Sequence, residues 1–480
     1  MKILLAASEV APIVKVGGLG DVAGSLPKAL QKLGIEADVV IPFYQIIDLH
    51  KFKIIKQMTI QVGYANKTHE VGVFKTKLPG SNVDVFLLKN DDYMAHGGSD
   101  AFTSLQDEVE RFAFFNKALV EFIKASFNTY DLVHCNDWHT GMVTHLLEEE
   151  IGEDRPATLF TIHNIAYQGQ WDMELVYEMG LSVPEHQILQ WDLEDKHVNF
   201  MLEGIASSDA VSTVSPTYAK ELLFDDIGGP MADILRSRQG RFFGIINGLD
   251  YEYFNPKTDV NLVQRFGAEN WKEGKLAVKK ALQKELVLAD KNVPVISLIS
   301  RLDPNQKGLD IFGDIIGKIL EMDVQLIILG KGDKTYEENF KKLASMQKYH
   351  DKLSINLGFN EGLARKIYAA SDFFLMPSRT EPCGLAQMIA MRYGALPIVH
   401  KVGGLKDTVA DGKDGFSFTL FKGDALFRTI DKAVKLWGSA KYEGMVKKAM
   451  AKDFSWDSSA FDYSELYKKV INFRKAQKAK

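Results

Sequence analysis

Five stretches of this chain combine cations, carboxylates or imidazoles with the backbone freedom that ligand chemistry needs. The first is Lys15-Val16-Gly17-Gly18-Leu19-Gly20-Asp21, which follows the apolar run Ile3-Leu4-Leu5-Ala6-Ala7. A strand is expected to break there into glycines beside a cation, and a helix to begin. That junction suits a diphosphate: glycines let backbone N–H groups approach an anion, the helix start points partial positive charge at it, and Lys15 adds a full charge. The same five letters return as Lys401-Val402-Gly403-Gly404-Leu405 after the apolar Leu396-Pro397-Ile398-Val399.

Two further stretches carry complementary groups. In Ser300-Arg301-Leu302-Asp303-Pro304-Asn305-Gln306-Lys307-Gly308, Arg301 and Lys307 flank a proline turn, so both cations can converge on one anion; two solvated loop charges fit that segment equally well. In Pro377-Ser378-Arg379-Thr380-Glu381-Pro382-Cys383-Gly384-Leu385, a carboxylate is held between Thr380 and Pro382 before a helix start. Glu381 offers an acceptor for sugar hydroxyls, and the following amides are donors for phosphate. A lone acid satisfying a helix dipole would account for Glu381 but not for Pro382-Cys383-Gly384.

His134-Cys135-Asn136-Asp137-Trp138-His139 and Thr161-Ile162-His163-Asn164 end two more apolar runs. A metal is not expected among them. His134 and His139 straddle a strand end without the two-residue or helical i, i+4 ligand spacing, and the chain holds no Asp-x-Asp pair to carry a divalent ion on a diphosphate. Lys15, Arg301 and Lys307 can neutralise that group instead. His163 followed by Asn164 at a strand end is read as functional, against a packed, satisfied histidine.

The elements that must position these groups alternate as in a doubly wound α/β fold. Strands are expected at 2–7, 37–41, 83–88, 131–135, 157–162, 209–214 and 242–246, then at 294–300, 324–329, 372–376 and 395–399. Helical periodicity is clearest over 105–125, where Val109, Phe112, Ala113, Asn116, Leu119, Val120 and Ile123 recur at three- and four-residue steps. Other helices are expected near 308–320, 336–347, 361–370, 384–393 and 424–437. Asn247-Gly248-Leu249-Asp250 is a turn signal, followed by aromatics ending on Pro256. The reading is therefore a first Rossmann-like domain over 1–246, a second over 247–457 and a final helix over 458–480. Ligands of such sheets bind beyond the carboxyl ends of strands.

At 480 residues the chain exceeds one hydrophobic core at about 150 residues per domain. With 46% hydrophobic and 25% charged residues it reads as a globular enzyme. A net charge of −5 and a pI near 6.2 argue against a nucleic-acid coat, and the basic Lys468–Lys480 segment reads as a solvated helix end. Two cysteines, Cys135 and Cys383, make no disulfide framework, and no apolar segment approaches the ~18 residues of a membrane span, so a cytoplasmic enzyme is expected.

Taken in order, these motifs resemble those of bacterial glycogen synthases and plant starch synthases over nearly the whole chain. The matching segments include Lys15–Leu19, Asn136-Asp137-Trp138-His139, Thr161-Ile162-His163-Asn164, Asn247-Gly248, Ser300-Arg301-Leu302, Lys307-Gly308, Gly358-Phe359, Glu381–Leu385 and Val402–Leu405. The resemblance implies a GT-B architecture, two Rossmann-like domains facing a deep cleft, and transfer of glucose from ADP-glucose to the non-reducing end of an α-1,4-glucan such as glycogen, with retention and without a cofactor. It implies that Lys15, Gly18, Arg301 and Lys307 contact the diphosphate, that Gly17 belongs to the ADP-glucose site, and that Asp137, His163 and Glu381 hold the donor glucose. Backbone groups of Cys383, Gly384 and Leu385 would support sugar and phosphate. Asn247 would join the donor site, and Phe359 would lie against the base where the family carries an aromatic, commonly tyrosine. Glu381 is expected to act by binding and electrostatics, since the sequence identifies no second carboxyl for a covalent route.

Two other classes compete. Gly18-Leu19-Gly20-Asp21-Val22-Ala23 fits the dinucleotide fingerprint of an NAD(P)-dependent oxidoreductase, but ten residues separate Ala7 from Gly18 and the second strand ends at Pro42 without a ribose-binding acid. A non-catalytic glucan-binding protein could use Tyr167, Trp171 and Trp191, but has no need of phosphate-directed cations.

Overall fold

A computed structural model describes residues 1–94, 105–126 and 129–479. The chain divides into two compact units, Met1–Gly248 with Trp456–Lys480, and Leu249–Ser455.

The first unit is built on a nine-stranded sheet, ordered Phe242–Gly244, Ala210–Thr213, Ala157–Ile162, Leu132–Asn136, Lys2–Ala6, Glu36–Pro42, Asp84–Lys89, Lys67–Lys77, Ile55–Tyr64. All neighbours are parallel except the last three strands, which pair antiparallel. Lys2–Ala6 shows why the central strands read as unbroken apolar runs. Leu4 and Ala6 face one core and Ile3 and Leu5 another, because side chains alternate across a sheet covered on both sides. The first core packs against helix Leu105–Ala125 through Val109, Phe112 and Leu119. The second packs against Gly18–Lys32 and the final helix, Trp456–Lys478. Each fully buried Leu, Val or Phe contributes about 1.5–3 kcal/mol.

The final helix belongs to this first unit although more than two hundred residues of the second unit precede it. Tyr463, Tyr467 and Val470 are fully buried, Tyr467 Oη bonds His134 Nδ1 at 2.9 Å, and Ser459 Oγ donates to Ile246 O at 2.7 Å. Its basic end is docked: Arg474 donates to Glu153 O at 2.9 Å, and Lys478 pairs with Asp154.

The second unit has a six-stranded parallel sheet, ordered Leu353–Leu357, Gln325–Gly332, Val295–Leu302, Phe373–Met376, Leu396–His400, Phe416–Phe418. In both sheets the order of the parallel strands reverses once about the first strand. The reversal falls between Lys2–Ala6 and Leu132–Asn136 in the first unit and between Val295–Leu302 and Phe373–Met376 in the second. At such a point adjacent strands send their connections to opposite faces, opening a crevice at their carboxyl ends.

All eleven expected strands are present, shifted by a few residues at their ends. The hairpin Ile55–Tyr64/Lys67–Lys77 was not anticipated. It is an edge pair with one exposed face, so lysines, glutamines and threonines alternate with its apolar residues. Its turn is Ala65-Asn66, both at positive φ (50° and 58°), without the glycine that usually announces such a turn. The helix expected near 308–320 is two, Leu309–Gly313 and Ile316–Glu321, in a stretch weakened by Gly313 and Gly317.

Candidate functional site

In the second unit the loops leaving the two strands at the reversal carry the predicted groups, and they are tied together. Arg379 N donates to Gln306 O at 2.8 Å. Asp303 folds the first loop by accepting from Asn305 N at 2.8 Å and Gln306 N at 3.1 Å through one carboxylate oxygen. Gly308, at φ 65°, then allows the loops to touch, since a Cβ there would lie 2.0 Å from Pro377 O. Within this frame Lys307 Nζ stands 2.8 Å from Glu381 Oε2, and Ser378 Oγ donates to the same oxygen at 3.1 Å.

Arg301, Lys307, Glu381, Gly384 and Leu385 line one pocket of about 190 Å³. Cys383 is buried beside it and forms no disulfide among the described residues. The backbone of this segment is fixed from behind: Gly404 N donates to Glu381 O at 3.0 Å, and Gln387 Nε2 donates to Cys383 O and Gly384 O at 3.0 and 2.7 Å. A Cβ on Gly404 would meet Cys383 O at 2.1 Å. The second Lys-Val-Gly-Gly-Leu therefore supports the Glu381 loop, and its glycines start the helix Gly403–Thr408. Phe359 follows Gly358 at the end of the outermost strand and is 89% exposed, outside that pocket.

In the first unit the glycine turn and Asp137 leave the two strands at that sheet's reversal. Asp137 has φ 57°, unusual for a residue other than glycine and a mark of strain held by its surroundings. Its Oδ1 accepts from His163 N at 2.7 Å and Asn164 N at 3.3 Å. Burial, opposed by those amides and assisted by the charge of Glu9, pushes its carboxyl up to about 7. Burial likewise lowers His163 to about 3, so its ring is neutral. Its tautomer follows from Asn136, whose Nδ2 donates to Ala6 O and His134 O, both at 3.0 Å. Asn136 Oδ1 is thus the acceptor 2.9 Å from His163 Nε2, which carries the proton, and Nδ1 is the acceptor side of the ring.

Glu9, which the sequence did not single out, lies within this candidate site. Its buried carboxylate accepts from Gly17 N at 2.9 Å and from Val16 N, so the amides of the glycine turn already meet an internal anion. Burial raises its pKa against the pull of those amides. Lys15 Nζ pairs with Asp21 Oδ1 at 2.7 Å, and the helix begins at Gly18 with Gly17 as its cap. Glu9 precedes the recognisable motif by six residues, and only the folding back of Val10–Val14 places it under Gly17. Asn247 is buried near Gly248, and its Oδ1 has no hydrogen-bond partner among the described residues. A buried acceptor without a partner is costly and marks a place where a ligand donor is useful.

The Asp137–Asn164 and Ser300–Leu385 regions each present a carboxylate and neighbouring cations or amides at a topological switch point, as binding and charge stabilisation of a phosphorylated sugar require. Comparison with known proteins agrees. The starch synthase catalytic domain profile matches residues 2–237, and the glycosyl transferases group 1 profile matches 293–435. A glycogen synthase of Kosmotoga olearia is 42% identical over 484 residues, covering 98% of each chain. One from Geotalea daltonii is 40% identical over 491 residues, covering 98% of this chain and 99% of its own. Among solved structures, the catalytic domain of starch synthase IV from Arabidopsis thaliana, bound to ADP and acarbose, superposes with a TM-score of 0.89 at 32% identity, over 98% of this chain and 99% of that one. Sucrose-phosphate synthase from Thermosynechococcus elongatus shares the fold at a TM-score of 0.63 and 18% identity, over 98% of this chain and 99% of that one.

Proposed function

The chain belongs to the glycogen synthase and starch synthase family of GT-B glucosyltransferases, and from that premise we propose that it transfers glucose from ADP-glucose to the non-reducing end of an α-1,4-glucan, with retention at the anomeric carbon. The observation that carries this reading is the Lys307–Glu381 pair, held with Arg301 around a pocket at the switch point of the second sheet.

As the bond from the glucose carbon to the diphosphate breaks, negative charge grows on the departing ADP and positive charge on the sugar ring. Groups that favour this separation more than the intact donor lower the barrier. Lys307 and Arg301 are the proposed cations on the leaving group, with Lys15 adding a third charge and Gly18 its backbone amide, while the Gly17 amide is held by Glu9. Glu381 is proposed to orient the sugar and balance the charge beside Lys307. Two donors already engage its Oε2, which suits an electrostatic role more than attack on carbon. His163 Nδ1 and the Asp137 carboxyl are proposed acceptors for glucose hydroxyls, and amides of Cys383, Gly384 and Leu385 steady sugar and phosphate. Phe359 offers a ring to the base, and Asn247 Oδ1 an acceptor to the donor. The reaction is placed in the cytoplasm, where reducing conditions keep Cys135 and Cys383 as thiols.

The test is incubation with glycogen and ADP-glucose or UDP-glucose, following nucleotide release, glucan lengthening and the anomer formed. ADP release with α-1,4 extension is expected. Indifference to both donors, or a β-linked product, overturns the reading.

A further inference from the structure

Helix Val143–Ile151 brings His145, Glu148 and Glu149 to one side of the first unit, and His186 precedes the short helix Gln187–Asp192 that lies beside it. None of these residues takes part in the chemistry above. His145 Nε2 is 2.6 Å from Glu203 Oε2, and His186 Nε2 is 3.1 Å from Glu149 Oε2. An ionised carboxylate only accepts, so each Nε2 carries the proton, and in a neutral ring each Nδ1 is then a bare lone pair.

The two Nδ1 atoms face each other at 3.3 Å with the rings nearly perpendicular, at 81°. Two lone pairs at that distance repel unless a cation lies between them. We propose that His145 Nδ1, His186 Nδ1 and a Glu148 carboxylate oxygen bind a divalent transition metal of the zinc class. Three observations favour a metal over a shared proton. With metal–nitrogen bonds of about 2.0–2.1 Å, a 3.3 Å separation subtends roughly 107° at the ion, the tetrahedral value. Glu148 stands one turn along the helix from His145, and the three ligand atoms all lie within 4.8 Å of one another. Each imidazole is also backed by a carboxylate on its other nitrogen, the arrangement that orients metal-bound histidines and makes them more basic. Glu148 now meets Arg155 Nη2 at 2.9 Å through Oε1, and its partly exposed side chain needs only a small swing to bring an oxygen in. Three protein ligands leave a fourth position for water. Imidazole and carboxylate together suit zinc, and also nickel or copper, over calcium or magnesium.

The tag-free full-length chain, stripped with a chelator, is titrated calorimetrically with Zn²⁺ alone, and with Co²⁺ followed by visible absorption; neither readout depends on glucosyl transfer. One ion per chain is expected, with the intense visible bands of four-coordinate cobalt and no thiolate charge-transfer band. His186→Ala is expected to weaken zinc binding by at least about a hundredfold and Glu149→Gln, which frees the ring it orients, by about tenfold. Glu148→Gln, on the exposed side of the helix, is the control should His186→Ala fail to fold, and is expected to weaken binding and alter the cobalt spectrum. Absence of stoichiometric zinc binding, or binding that Glu148→Gln and Glu149→Gln leave unchanged, overturns the proposal and assigns a proton to the space between the rings.

Discussion

Lys307 Nζ and Glu381 Oε2 lie 2.8 Å apart although 74 residues separate them in the chain, and their pairing joins the two loops that leave the switch point of the second sheet. Both side chains are largely buried, so each is the other's main electrostatic compensation. The pair thus carries structure as well as the chemistry proposed for it, and the two contributions separate on substitution.

Lys307→Ala is expected to lower kcat about a hundredfold or more, because one preorganised donor on developing charge is worth about 3–4 kcal/mol. It also strands the Glu381 carboxylate, at a cost of about 1–3 kcal/mol in stability. Lys307→Ala/Glu381→Gln is expected to recover that stability without recovering turnover, read by thermal melts beside steady-state kinetics. Near-normal turnover of folded Lys307→Ala would remove Lys307 from the mechanism.

Asp137 gives a pH-dependent prediction. Its carboxyl is raised from the ordinary 3.8 to about 7, so the fold favours the protonated form. That contribution is complete below about pH 4 and is lost as pH rises through about 7. Asn keeps an oxygen for the His163 and Asn164 amides but never ionises. Asp137→Asn is therefore expected to be more stable than the parent at pH 8, by about 1–4 kcal/mol, with the difference vanishing toward pH 4. Its transferase activity is expected to fall sharply. Equal denaturation midpoints at pH 8 would contradict the raised carboxyl.

Gly308→Ala tests the loop junction. The new methyl meets Pro377 O and a left-handed φ, together costing about 1–3 kcal/mol or more, and separates Lys307 from Glu381. A loss of both melting temperature and kcat is expected, whereas Gly313→Ala, where a Cβ meets nothing within 4 Å, leaves both near the parent values.

Phe359→Ala should separate ligand binding from folding. An 89% exposed ring contributes little to stability, so a change within about 0.5 kcal/mol is expected. Base stacking on an aromatic is worth about 1–3 kcal/mol, so KM for ADP-glucose should rise about tenfold while Phe359→Tyr stays close to the parent. An unchanged KM would place the base elsewhere.

The sequence by itself determined where eleven of the fifteen strands of the two sheets run and which residues stand at their carboxyl ends, but not the hairpin strands Ile55–Tyr64 and Lys67–Lys77 or the edge strands Leu353–Leu357 and Phe416–Phe418. Both signals are local: a buried parallel strand must be apolar on both faces, and the chain must turn at its end through glycine, proline or a capping residue. Lys15, Asp137, His163, Arg301, Lys307 and Glu381 were visible for that reason. The edge hairpin and the split helix after Gly308 escaped because exposed alternation and isolated glycines leave weak local patterns.

Only the tertiary structure decided what those residues meet. Sheet order placed two loops at each reversal, and that order is a matter of long-range pairing that no short window encodes. It set Glu9 beneath the Gly17 amide, buried Asp137 deeply enough to raise its carboxyl, fixed the His163 tautomer through Asn136, and brought His186 against His145 across 41 residues. Charge, pKa and tautomer depend on which polar groups burial leaves as neighbours, and folding alone selects those neighbours.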